Sequence, residues 1–107
     1  MTTFDKREEA FEKQFAHDEE LRFKATARRN KLLGRWAAEQ LGLSGPAIDA
    51  YANEVVVADL EHAGDQDVFS KIRRDFDAKG VAVADVQIRQ QMSELLARAV
   101  QEIKASG

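Results

Sequence analysis

The chain contains no cysteine. Disulfides and thiolate chemistry are therefore excluded. Its single proline is Pro46, and the first 36 residues hold only one glycine, Gly34. One long helix is thus permitted through that whole stretch. No apolar run approaches the ~20 residues that a membrane span requires, so insertion into a bilayer is not expected. The start of the chain is acidic and amphipathic rather than apolar, so no secretory signal is expected, and a cytoplasmic location is the default. No segment alternates apolar and polar residues for long enough to read as a strand; Val81-Ala82-Val83 is too short. Histidine is scarce, with only His17 and His62, and no Ser/His/Asp or Cys/His set can be assembled. An enzyme is therefore not expected. A glycine-rich phosphate loop is also missing.

What is present is charge, sharply divided. Residues 1–20 hold seven acids against three bases, net −4. Residues 21–36 hold six bases and no acid, and residues 37–107 hold twelve acids against seven bases, which gives the overall net charge of −3. Segregated charge on one helix points to a binding function more than to solubility alone. Net acidity argues against nucleic acid as the partner. At 107 residues, 44% hydrophobic and 33% charged, the chain suits one soluble helical unit with a modest core.

The acidic stretch carries aromatic residues in register. At about 100° per residue, Phe4, Phe11 and Phe15 fall within roughly 40° of one another on a helix. Charged residues surround this narrow stripe. Such spacing matches a helix that lies in a partner's groove, and equally a stripe that completes the protein's own core. Phe4, Arg7, Glu8, Phe11, Phe15 and His17 are the residues expected to meet a partner on the first reading. His17 is either solvated or a pH-sensitive element, since imidazole titrates near neutrality.

Four helices are expected. The first could run from about Thr3 to Leu41 and stop at Gly42, with isolated helicity doubtful before Leu21. Ser44-Gly45-Pro46 marks a turn, with Ser44 as N-cap of a second helix over Pro46–Glu61. Asp65 or Asp67 caps a third over Val68–Ala78, ended by Gly80. Asp85 caps a fourth over Val86–Lys104. Short loops between amphipathic helices imply an all-α four-helix bundle. Its expected core is Leu32, Leu33, Trp36, Val55, Phe69, Ile72, Phe76, Met92, Leu95 and Ala99. The division is an arm, residues 1–20, and a bundle, residues 21–107.

The basic stretch sorts by angle. Lys24, Arg28, Lys31 and Arg35 share one side within about 60°. They could hold a polyphosphate, with Trp36 or Tyr51 near enough to stack an adenine, or they could form a solvated basic face. Arg22 and Arg29 fall within the apolar arc, where each requires a carboxylate; Asp59, Glu61 and Asp75 are the expected partners. The acids between Asp59 and Asp67 do not match calcium-loop spacing, and no metal is expected.

Two segments, FDKREEAFEKQFAHDEELRFKA and RRNKLLGRWAAEQLGL, carry a resemblance. With the later Asp-Gln-Asp-Val-Phe and the closing amphipathic helix, the chain resembles the zeta subunits of alphaproteobacterial ATP synthases nearly end to end. The match is densest over Phe4–Leu43. The resemblance implies a small helical bundle that inhibits ATP hydrolysis by the catalytic sector of the ATP synthase, with the N-terminal arm as the inhibitory element. It also implies that the bundle binds ADP or ATP as a regulatory ligand, and the stripe of Lys24, Arg28, Lys31 and Arg35 is the expected place. The free protein is expected to be a monomer. The alternative is a nucleotide-responsive helical adaptor for another acidic or phosphorylated partner.

Overall fold

The computed structural model of the chain describes residues 19–61 and 65–106. Four helices follow one another: α1 (Glu19–Gln40), α2 (Pro46–Glu61), α3 (Asp65–Lys79) and α4 (Asp85–Ser106). No strand occurs among the described residues. Helix α1 packs most extensively on α2 and next on α4, while α3 closes the ring against both α2 and α4. The chain is therefore the all-α four-helix bundle expected from its periodicity. The arm up to residue 18 lies outside the described residues, and with it Phe4, Arg7, Glu8, Phe11, Phe15 and His17.

Helix ends follow local chemistry. At the end of α1, Gly42 adopts φ 78°. Its N–H donates to the Glu39 carbonyl at 3.1 Å, and the Leu43 N–H donates to the Ala38 carbonyl at 3.0 Å. This is a Schellman closure, which places the left-handed conformation where glycine has no Cβ to clash. Gly80, with φ 70°, ends α3 identically: the Val81 N–H reaches the Phe76 carbonyl at 2.8 Å. Leu43 and Val81 then fold back onto the core.

The helix starts differ from expectation. Gly45, not Ser44, supplies the carbonyl that accepts the first helical bond of α2, from the Ile48 N–H at 3.1 Å. Helix α3 is already formed at Asp65, so Asp65 and Asp67 lie in its first turn, where the helix dipole favours acids. Asp85 does not cap α4. Ala84 holds that position, and its N–H donates to Gln87 Oε1 at 2.8 Å, the returning half of a capping box. The Asp85 carboxylate instead takes Arg73 Nη1 at 3.0 Å, the same nitrogen that donates to the Val83 carbonyl. Arg73 thereby fastens the α3–α4 connection.

The core joins Leu33, Ala37 and Ala38 of α1 to Tyr51 and Val55 of α2, Val68, Phe69, Ile72 and Phe76 of α3, and Ile88 and Met92 of α4. Ala99 is also buried. Trp36 and Leu95 are only partly buried against this cluster, with Trp36 meeting Phe76 edge to face at 5.8 Å between ring centres. Leu32, expected inside, is half-buried and lines a surface groove. The reason is that α1 turns its small residues inward: Ala25, Gly34, Ala37 and Ala38 are buried, and this lets the neighbouring helices approach closely. Between Glu20 and Lys24 no side chain is buried, and Phe23 is 59% exposed; among the described side chains of α1, Ala25 is the first that is buried.

Candidate functional site

Helices α1 and α4 enclose an open groove of about 650 Å³. Arg28, Lys31, Leu32 and Arg35 line it from α1; Arg98, Glu102 and Ala105 line it from α4. Both sets recur at spacings of three and four, so each is one stripe of its helix. The packing of α1 on α4 sets the two stripes face to face. Four cations and one carboxylate thus line the same groove. Glu102 lies 3.9 Å from Arg28 and 3.4 Å from Arg98, while Arg35 reaches Asp49 of α2 at 3.2 Å. Lys31 forms no ion pair with the described residues.

Three of the four basic residues expected to act together therefore do line one groove: Arg28, Lys31 and Arg35. Lys24 does not. It stands one turn beyond, paired with Glu20 at 3.3 Å on the exposed start of α1. Arg98 and Glu102 were not legible as members of the site. Their own stripe is regular, but nothing local states which face of α4 meets α1.

The aromatic candidates are turned elsewhere. Trp36 packs on Phe76. Tyr51 is buried, and its hydroxyl donates to Asp75 Oδ2 at 2.8 Å. Burial, and after it the hydrogen bond and charge of Asp75, push the Tyr51 phenol well above its ordinary range. Lys71 covers the Tyr51 ring at 5.0 Å and also pairs with Asp75 at 3.1 Å. Neither aromatic ring lines the α1–α4 groove.

The two core-facing arginines part company. Arg22 is exposed, because α1 has not yet entered the bundle at that level. Arg29 is buried at 2% exposure, and its Nη2 binds Asp65 Oδ1 at 2.7 Å. Its Nε donates to Asn30 Oδ1 at 2.8 Å. The partner is thus Asp65 rather than Asp59, Glu61 or Asp75. This pair ties α1 to the start of α3 and contributes to the fold rather than to the groove. Among the described residues no group of His, Asp or Glu is arranged to hold a metal ion, and no helix is long and apolar enough to cross a membrane.

A family model described as ATPase inhibitor subunit zeta matches residues 1–102. Three solved chains also match. One, titled a solution NMR structure of the protein, is 44% identical, covers 81% of this chain and 99% of its own length, and superimposes with a TM-score of 0.71. Comparison with curated proteins gives no match.

Proposed function

This chain belongs to the ATPase inhibitor subunit zeta family, a regulatory and non-catalytic class whose partner is the ATP synthase, and we propose that it inhibits through its N-terminal arm while the bundle binds adenine nucleotide. Residues 1–20 would insert as a helix at a catalytic interface, with Phe4, Phe11 and Phe15 filling a groove and Arg7, Glu8 and His17 setting orientation. The observation that supports an arm held for a partner is the position of Ala25. Among the described side chains α1 buries none before Ala25, and the core that the described residues form is assembled from positions beyond it. The bundle would act as the dock, in the cytoplasm. The α1–α4 groove, with Arg28, Lys31, Arg35 and Arg98, is the surface suited to the phosphates of ADP or ATP.

The test is ATP hydrolysis by a cognate ATP synthase catalytic sector, measured with the whole chain and with residues 1–20 removed. Inhibition by the whole chain and its loss on truncation support the arm. Equal inhibition by both forms rejects it.

A further inference from the structure

We infer that Glu102 acts as a built-in stand-in for a phosphate group in the α1–α4 groove, and that the groove takes polyphosphates without reading the base attached to them; this rests on the nucleotide-binding reading above. The carboxylate sits between two guanidinium groups from different helices. Its Oε1 lies 3.9 Å from Arg28 Nη1, and its Oε2 lies 3.4 Å from Arg98 Nε. One internal anion therefore already occupies the place that an external anion would take.

Both arginine contacts of that internal anion are long. Both separations exceed the ~2.7–2.9 Å of a charge-assisted hydrogen bond. Glu102 is 37% exposed, so water screens its contacts with the two arginines and weakens their competition with an external anion. Arg98 also precedes Glu102 by four residues, the weaker order for a helical ion pair. A phosphate brings more charge and three acceptor oxygens. It can engage Arg28 and Arg98 together, and Lys31, which has no ion pair with the described residues, lines the same groove.

Base recognition is a separate requirement, and no aromatic ring lines the groove to meet it. Its apolar lining is Leu32 and Ala105, aliphatic side chains with no flat face and no hydrogen-bonding edge. Trp36 is committed to Phe76 and Tyr51 to Asp75. The guanidinium groups of the lining are engaged by phosphate, so recognition rests on charge and the base stays in solvent. Binding of a polyphosphate displaces Glu102 from its two arginines, so removal of the Glu102 charge strengthens the ligand.

The experiment is calorimetric titration of the full chain with ATP, GTP, inorganic tripolyphosphate and adenosine at fixed ionic strength. Wild type, Glu102→Gln, Glu102→Ala and Arg98→Gln are compared, with thermal melting to verify the fold of each. ATP, GTP and tripolyphosphate are expected to bind within about threefold of one another, and adenosine not at all, because only phosphate is recognised. Glu102→Gln and Glu102→Ala should both tighten all three polyanions by about three- to tenfold, and Arg98→Gln should weaken them by a similar factor, the scale of exposed charge pairs. If ATP binds and tripolyphosphate or GTP does not, the base is read; base indifference is then overturned while nucleotide binding stands. If the polyanions bind alike but the Glu102 variants bind no tighter, the stand-in role is wrong. If ATP does not bind at all, nucleotide binding itself fails, and the inference fails with it.

Discussion

Gly34 of α1 stands directly against Ala52 of α2: a Cβ placed on Gly34 would come within 2.6 Å of the Ala52 Cα. It would also meet the Ala52 Cβ and Val55 Cγ2, each at 3.2 Å. The obstacle at 2.6 Å is backbone, so no side-chain rotation relieves it. Gly34 is therefore a contact point between two helices and not a weak spot in one. An intrinsic gain from alanine in a helix, about 1 kcal/mol, is outweighed here. Gly34→Ala should destabilise the bundle by about 1–3 kcal/mol, since α1 and α2 must move apart. Urea unfolding followed by circular dichroism measures this, and a stabilised variant would contradict the close approach.

The Arg29–Asp65 pair should be needed for stability but not for ligand binding. Asp65→Ala leaves the buried guanidinium without its carboxylate. The Asp65 side chain is 64% exposed, so solvent compensates in part. A loss of about 1–2 kcal/mol is expected, below that of a fully buried pair. Nucleotide affinity should not change, because neither residue lines the groove. Denaturation and titration of the same variant check both statements.

Tyr51 should make the fold sensitive to alkali. Its phenol is held above the ordinary value of 10.0 in the folded protein, first by burial and then by Asp75. The folded state therefore holds this proton more tightly than the unfolded state does. The associated stability is complete below pH 10.0 and declines as the pH rises above it. Tyr51→Phe should flatten that decline, while costing about 1 kcal/mol at neutral pH through the lost hydrogen bond to Asp75. Melting temperatures of both proteins between neutrality and alkaline pH give the comparison.

Lys24 and Lys31 should separate in their effects. Lys31→Ala removes a lining cation and should weaken ADP binding by about three- to fivefold. Lys24→Ala should leave it unchanged, since Lys24 pairs with Glu20 outside the groove. Backbone amide shifts on ADP titration distinguish them. Equal effects would show that charge acts at a distance and that the groove is not the site.

Removing residues 1–20 should preserve cooperative unfolding and abolish inhibition of ATP hydrolysis. Phe11→Ala combined with Phe15→Ala in the whole chain should weaken the complex, as each anchoring aromatic contributes on the order of 2 kcal/mol. Truncation that unfolds the bundle would instead place the phenylalanine stripe in the core.

Much of this architecture was determined by the sequence alone. Gly42 and Gly80 end helices because only the local chain is involved: a left-handed residue and two backbone hydrogen bonds. The apolar stripes of Phe69, Ile72 and Phe76, and of Met92 and Ala99, follow from a period set within each helix. Arg28, Lys31 and Arg35 share a groove for the same reason. Tertiary structure decided everything that depends on how one helix is rotated and shifted against another. It gave Arg29 to Asp65, gave Asp85 to Arg73, and turned Leu33 inward while leaving Leu32 at the surface. It also set Arg98 and Glu102 opposite Arg28, and made Gly34 the point where α1 touches α2. Caps and periods are encoded over a few consecutive residues. The rotation and offset of packed helices arise from the summed shapes of all their side chains, and no short stretch of sequence contains that sum.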